Sequence, residues 1–282
     1  MASGVVTALI DFDEVVYQAG FSSQHTTYRV YLEGEEEYIA SFQYKKQAVE
    51  WVNDQEDMTI VPEIESETLH IALSNARNYI LTILKMSGAH RPIGFFTGPN
   101  NFRLGLASIL PYKGNRDEAH KPIYYSEIKE YLTNNWESEI IMSAEADDGM
   151  SMGQWPLYEE HSTIICTNDK DLNMVPGWRY WPNKKRKALI TPLEGCRSFY
   201  KQLLSGDTTD NIPGLYKITG RKVFKAKHLN PIDEMMTEEE MYEHCLLAYG
   251  DEADKIEEVG NLLWMLRNRE DKWVPGNKHY IL

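Results

Sequence analysis

The chain repeats one device. A short apolar run rich in β-branched residues stops at an acid or a small polar turn, and a longer, more polar stretch follows. "VVTALIDFD" is the first such run, "PIGFFT" the second, "SEIIM" the third and "STIICT" the fourth. Runs this short and this uniformly apolar read as buried strands, because a half-exposed strand would alternate polar and apolar residues. Between the first two, residues 68–86 place Leu69, Ala72, Leu73, Ala76, Ile80, Ile83 and Leu84 along one face of an amphipathic helix that Gly88 ends. Buried strands alternating with helices specify an α/β fold, with a mainly parallel central sheet flanked by helices.

In open sheets of this kind the ligand site lies beyond the carboxyl ends of the strands. The residues there are Asp11 and Asp13 after the first strand and Thr97 and Gly98 after the second. Glu145, Asp147 and Asp148 follow the third, and Asp169 and Asp171 the fourth. A fifth stretch, "LLSGDTTDNIPGL", adds Asp207 and Asp210 where a helix ends. Alone, that stretch reads first as a cap with ordinary breakers around it. Two carboxylates one helical turn apart would also share a face and repel unless a cation lies between them. Acids at several strand ends favour the cation. Oxygen-only ligands suit Mg²⁺ or Mn²⁺.

With 282 residues, 42% of them hydrophobic, the chain suits one large domain or a domain with a smaller lobe. No apolar run is long enough to span a membrane. The start lacks the basic and apolar regions of a signal peptide. Cys166, Cys196 and Cys245 show neither zinc spacing nor a disulfide framework, which fits a reducing, cytoplasmic setting. A Gly-x-Ser-x-Gly elbow and a Gly-x-x-x-x-Gly-Lys phosphate loop are absent. The net charge of −14 counts against a nucleic-acid partner by its sum. Its distribution does not, because basic residues gather in "YKGNRDEAHK", "WPNKKRKAL" and "KITGRKVFKAKH". The acidic runs "EGEEEY", "TEEEMYEH" and "GDEADKIEE" read as solvated faces. "YRVYLEGEEEYIASF" reads as a peripheral hairpin about Glu33 and Gly34, "WRYWP" and "KALIT" as a strand pair, and 193–204 as a helix. In "YKGNR", Lys113 and Arg116 can bind phosphate, and Tyr112 can stack on a base.

The order of these motifs resembles that of the 5′-nuclease superfamily, which includes bacteriophage 5′→3′ exonucleases, flap endonucleases and the nuclease domain of bacterial DNA polymerase I. The matching pieces are "ALIDFDEVVYQA", "FFTGPNNFR…PYKGNR", "AEADD", "TNDKDL" and "SGDTTDNIPGL", over roughly residues 7–225. The resemblance implies an α/β nuclease core over 1–205 and a helical region over 206–282 with a helix-hairpin-helix. A helical arch over about 112–145 would pass a single-stranded 5′ end. It implies a metal site of Asp11, Glu145, Asp147, Asp148, Asp169, Asp171, Asp207 and Asp210 holding two Mg²⁺ or Mn²⁺ ions, with Lys113 and Arg116 as catalytic cations. Arg103, Tyr112, Lys217, Gly220, Arg221 and Lys222 would contact nucleic acid. The expected activity is a metal-dependent 5′→3′ exonuclease with flap or nick endonuclease activity, of phage type, acting in DNA replication or degradation. The expected partner is DNA with a 5′ end, nick or flap, or the RNA strand of a hybrid, bound by a monomer. The alternatives are a PIN-like ribonuclease and a non-catalytic structure-specific DNA-binding protein. Two departures stand out. Gly98 falls where the family places an acid, for which Asp13 could substitute. "KITGRK" keeps only Gly220 of the hairpin glycines, which bears on the K⁺ site expected there.

Overall fold

The strand-to-helix alternation of the sequence appears in the computed structural model, which describes residues 5–53, 55, 57–115 and 121–280. The elements run β1 (Thr7–Asp11), α1 (Phe12–Ser22), β2 (Gln24–Leu32), β3 (Tyr38–Phe42), α2 (Lys45–Val52), β4 (Met58–Ser66), α3 (Leu69–Ser87) and β5 (Arg91–Thr97). They continue with α4 (Phe102–Leu106), α5 (Tyr125–Asn135), β6 (Ser138–Ile141), α6 (Ala146–Gln154), β7 (Thr163–Cys166), β8 (Gly177–Trp181) and β9 (Arg186–Ile190). The last are α7 (Pro192–Ser205), α8 (Leu215–Thr219), α9 (Glu238–Tyr249) and α10 (Ile256–Leu263).

Six strands form the central sheet in the order β6-β5-β1-β7-β8-β9. All neighbours are parallel except β8 and β9. The β8–β9 pair is the expected "WRYWP"/"KALIT" ribbon. The sheet centre is apolar because Ala8, Leu9 and Ile10 of β1 and Ile164, Ile165 and Cys166 of β7 are all buried. α6 packs on β1, β5, β6 and β7, with Gly149 and Gly153 letting it approach Phe95 and Leu9. Phe12, at the start of α1, meets Phe96 edge-on at 5.5 Å. α7 packs on α9 and α10, and Phe199, Trp264, Trp273 and Tyr280 interlock there as an aromatic core.

The chain divides into two units, drawn differently from the expected split after residue 205. The first comprises residues 1–13, 81–119 and 135–282, and the second 14–80 and 120–134. The C-terminal helices thus belong to the same unit as the six-stranded sheet. The second unit carries an antiparallel sheet of order β3-β2-β4. The expected hairpin is its β2–β3 pair, and β4 continues the pairing on the other side, from Gln24 opposite Ser66 to Leu32 opposite Met58. Pro62 breaks the strand signal of "TIVPEIES", yet β4 is an edge strand, where a missing N–H is tolerated. α2 covers this sheet through buried Ala48, and Trp51 packs against Phe42 at 5.8 Å.

The segment expected to form an arch contributes α5 and then β6. Its end is therefore an edge strand of the central sheet, which shortens the candidate arch. No helix among the described residues is long and apolar enough to cross a membrane.

Candidate active site

The carboxyl ends of β1, β6 and β7 and the loop after α7 bring their acids to one place. β1 ends on Asp11 itself. Glu145 is the N-cap of α6, so Asp147 and Asp148 lie in its first turn, where carboxylates complement the helix dipole. Asp169 and Asp171 follow β7 in a tight turn in which the Asp171 N–H donates to Asp169 Oδ1 at 2.8 Å.

Asp207 and Asp210 are not one helical turn apart. α7 stops at Ser205, and residues 207–212 form a closed turn: the Asp207 N–H donates to the Ile212 carbonyl and the Ile212 N–H to the Asp207 carbonyl. A Cβ on Gly206 would lie 2.3 Å from the Gly214 nitrogen, so the two glycines form the neck of this loop. Gly206 also takes a φ of +70°, open to glycine at little cost.

"YKGN" is clamped to the same loop. The Lys113 N–H donates to the Asp210 carbonyl at 2.8 Å, Asn211 Nδ2 to the Pro111 carbonyl at 2.9 Å and Asn115 Nδ2 to the Thr208 carbonyl at 2.7 Å. Lys113 Nζ thereby reaches Glu145 Oε1 and lies 3.6 Å from Asp210 Oδ2. The Tyr112 hydroxyl lies 2.7 Å from Asp210 Oδ2 and 3.1 Å from Glu145 Oε2. Tyr112 is buried, so it is not the open stacking surface expected of it; it tethers two carboxylates. Arg116 lies outside the described residues.

Two expected site residues have a different place. Arg103 and Asp148 are both fully buried and form a two-pronged ion pair, with Nη1 to Oδ2 at 2.6 Å and Nη2 to Oδ1 at 3.0 Å. Arg103 also donates to the Leu262 and Trp264 carbonyls, and Asp148 accepts from the Glu145 and Leu266 N–H groups. Arg103 is therefore spent on the protein rather than on nucleic acid, and Asp148 joins the start of α6 to the C-terminal segment rather than facing a cation. Gly98 is likewise no vacant ligand position. A Cβ there would stand 2.4 Å from the Ile141 carbonyl oxygen, which accepts the Gly98 N–H at 3.0 Å. Nor does Asp13 alternate with Asp11 along a strand, because α1 begins at Phe12; its Oδ2 accepts the Thr97 N–H at 2.7 Å.

Sequence reading missed Arg179, Lys170 and Gln202. Lys170 Nζ is 2.9 Å from Asp207 Oδ2, and Gln202 donates to Asp171 Oδ1. Arg179, on β8, is fully buried and donates through Nη2 to the Asp169 carbonyl. Its only signal was an arginine inside an otherwise aromatic strand, "WRYW".

The crowding shows in the acid strengths. Burial, then Asp169, Asp11, Glu145 and Asp171, push the Asp147 carboxyl well up. Burial and the charges of Asp169 and Asp207 raise Asp171 to about 7. Asp169, at the solvent edge, is raised by burial of its inner side and by Asp210 and Asp207. Burial works to raise Asp207 too, but the Lys170 ammonium and the Thr209 and Asp210 N–H groups hold it below the usual range. Burial lowers Arg179 to about 10 against the pull of Asp147 and Asp169.

Lys113 lies between Glu145 and Asp210 and Lys170 pairs with Asp207, and among the described residues no three acidic, His or Cys side chains are arranged to hold an ion as they lie. The donor set still fits a hard divalent cation. It is all oxygen, and Asp147 Oδ1 is buried with no hydrogen-bond partner.

The basic residues after the 206–214 loop are exposed. Lys217 lies on the short helix α8, Gly220 caps it at a φ of +71°, and Arg221 and Lys222 follow. A second α-helix does not follow directly. Lys225–Leu229 makes a single π-helical turn.

No protein-family model matches the chain, and no curated protein does. Among solved structures it is similar to those of a bacteriophage T5 nuclease. One, of divalent zinc bound to T5 5′-exonuclease, shares 18% identity over 68% of this chain and 80% of that one, at a TM-score of 0.49. Another, of T5 D15 protein crystallised with metal ions, shares 14% identity over 92% of this chain and 99% of that one, at 0.47. A third, of the bacteriophage T5 D15 flap endonuclease with DNA and metal ions, shares 18% over 68% and 90%, at 0.46.

Proposed function

We propose that the protein is a divalent-metal-dependent phosphodiesterase acting on 5′ ends of DNA, a 5′→3′ exonuclease that also cuts at flaps or nicks. One observation carries this reading. Asp11, Glu145, Asp147, Asp169, Asp171, Asp207 and Asp210 converge from separate chain segments at the carboxyl end of the sheet, with Lys113 held among them. So many like charges are tolerated together where cations neutralise them.

Asp147, Asp169, Asp171 and Asp11 would hold Mg²⁺ or Mn²⁺ at the strand ends, with Glu145, Asp207 and Asp210 toward the lysines. Cations held there would supply an activated water and charge stabilisation for the leaving oxygen. The chain's own part is positional. Lys113 Nζ, held between Glu145 and Asp210, would offset charge on a phosphate at the site. Tyr112 and the clamp between "YKGN" and the 206–214 loop fix where that ammonium can reach. The exposed Lys217, Arg221 and Lys222 would bind duplex phosphates, as in a helix-hairpin-helix.

The test is cleavage of a 5′-labelled duplex, a 5′ flap and an RNA strand, with Mg²⁺ and with EDTA. Mg²⁺-dependent release from the DNA 5′ end supports the proposal. Cleavage of the RNA strand alone would favour the PIN-like reading, and binding without cleavage the non-catalytic one.

A further inference from the structure

Two sets of buried polar atoms at the carboxylate cluster lack hydrogen-bond partners among the described residues. One is an acceptor, Asp147 Oδ1. The other is a pair of donors, Nε and Nη1 of Arg179. Arg179 sits in the middle of β8, opposite Ile165 of β7 and Ala188 of β9, with no exposed surface. Its remaining nitrogen, Nη2, donates to the Asp169 carbonyl, and its guanidinium lies 5.3 Å from the Trp181 ring centre. The charge acting on it most strongly is that of Asp147, then that of Asp169.

A buried guanidinium with donors unmade, and a buried carboxylate oxygen with no donor, are each costly. The two do not pair with each other, so the guanidinium acts on the carboxylates as a nearby fixed charge. The other cations of the site differ in kind. Lys113 and Lys170 reach it from the solvent side, with 27% and 59% of their side chains exposed, and can swing away. Arg179 is anchored inside the sheet and cannot leave.

We propose that Arg179 is the built-in counter-charge of the carboxylate site: fixed to the Asp169 main chain beside the acids, it offsets their mutual repulsion without pairing with Asp147 and opposes an incoming divalent cation. This rests on the cation-site reading above and adds to it a determinant of cation affinity. A fixed positive charge behind the carboxylates has two opposed effects. It offsets their mutual repulsion in the cation-free protein, and it repels the incoming ion. Arg179 is thus a positioning residue whose removal should tighten cation binding while weakening the cation-free fold. A merely structural arginine, propping the 167–171 turn through the Asp169 carbonyl, would do neither selectively. Its loss would disorder Asp169 and Asp171, weaken cation binding and lower stability equally with and without the ion.

The experiment measures Mn²⁺ affinity by calorimetry, and thermal unfolding with and without Mn²⁺, for the wild-type chain, Arg179→Gln and Arg179→Lys. Arg179→Gln should bind Mn²⁺ about tenfold more tightly than wild type, with the charge-conserving Arg179→Lys within about twofold. Arg179→Gln should also melt lower without Mn²⁺ and recover most of the loss at saturation. Equal or weaker binding by Arg179→Gln, or the same loss of melting temperature in both conditions, overturns the inference. Should Arg179→Gln fail to fold, the wild-type protein still decides. The arginine Nε–H resonance that disappears in Arg179→Lys should shift on adding Mg²⁺, and no shift at saturating Mg²⁺ overturns it. Wild-type protein that binds no Mn²⁺ at millimolar concentration defeats the cation site itself, whereas binding that Arg179→Gln leaves no tighter defeats only the role of Arg179.

Discussion

Among the acids at the strand ends, their partners separate the structural from the chemical. Asp148 has every acceptor position used, by Arg103 and by two backbone N–H groups. Asp148→Asn leaves the Arg103 charge buried without its counter-charge and should lower stability by ~3–5 kcal/mol in urea unfolding. Asp147 and Asp169 carry the opposite expectation. Their carboxyls are already raised by burial and by their neighbours. Asp147→Asn or Asp169→Asn should therefore abolish cleavage without lowering, and even while raising, the cation-free melting temperature. Persistent cleavage would remove that residue from the site. Asp171 sets the pH dependence. An acid with a higher pKa folded than unfolded favours folding while protonated. That contribution is complete below its unfolded value of about 3.9 and is lost as pH rises through about 7. The cation-free protein should melt lower at about pH 8 than at about pH 5, and saturating Mg²⁺ should remove the drop by neutralising the ionised cluster. A cation-free melting temperature flat across that window would contradict the crowding.

The loops matter at the next scale because they, rather than the strands, fix the acids. The 206–214 loop closes at a Gly206–Gly214 neck too narrow for a Cβ and is sewn to residues 111–115 by three hydrogen bonds. Gly98 serves a similar close approach where β5 ends beside β6. Gly98→Asp should thus restore no cation affinity. It should lower stability by roughly 1–3 kcal/mol, as overpacking does, and leave the Mg²⁺ concentration for half-maximal rate no lower than in wild type. A lower Mg²⁺ requirement in Gly98→Asp would restore the missing-carboxylate interpretation. Gly206→Ala should damage the site through Asp207 and Lys113 together, seen as a joint loss of thermal stability and turnover.

Across the whole molecule, the charge of −14 conceals a division of labour among the cations. Lys113 is half-buried among carboxylates, while Lys217, Arg221 and Lys222 stand in solvent. Lys113→Ala should lower turnover strongly with little change in duplex affinity, because its charge matters where charge develops. Lys222→Ala should weaken duplex binding, reduce the salt slope of log K by about 0.9 and leave turnover at saturation near wild type. Identical behaviour of the two variants in binding and single-turnover kinetics would refute the division.

The sequence by itself determined the α/β class and the parallel sheet, because buried strands must be uniformly apolar and their period differs from that of helices. It also determined which strand ends carry acid, since a strand end is a local feature. β4 and α2 escaped it, Pro62 breaking one signal and a polar exterior masking the other. Tertiary structure decided which acid does what. Asp148 and Asp147 are neighbours in one helical turn, yet only Asp148 meets Arg103, a partner 45 residues away in the chain. Arg179 reads in sequence as one more strand residue and becomes a buried charge beneath the cluster only when β8 lies beside β7. Strand identity is written in local periodicity, whereas the role of a charge depends on which distant groups share its low-dielectric surroundings.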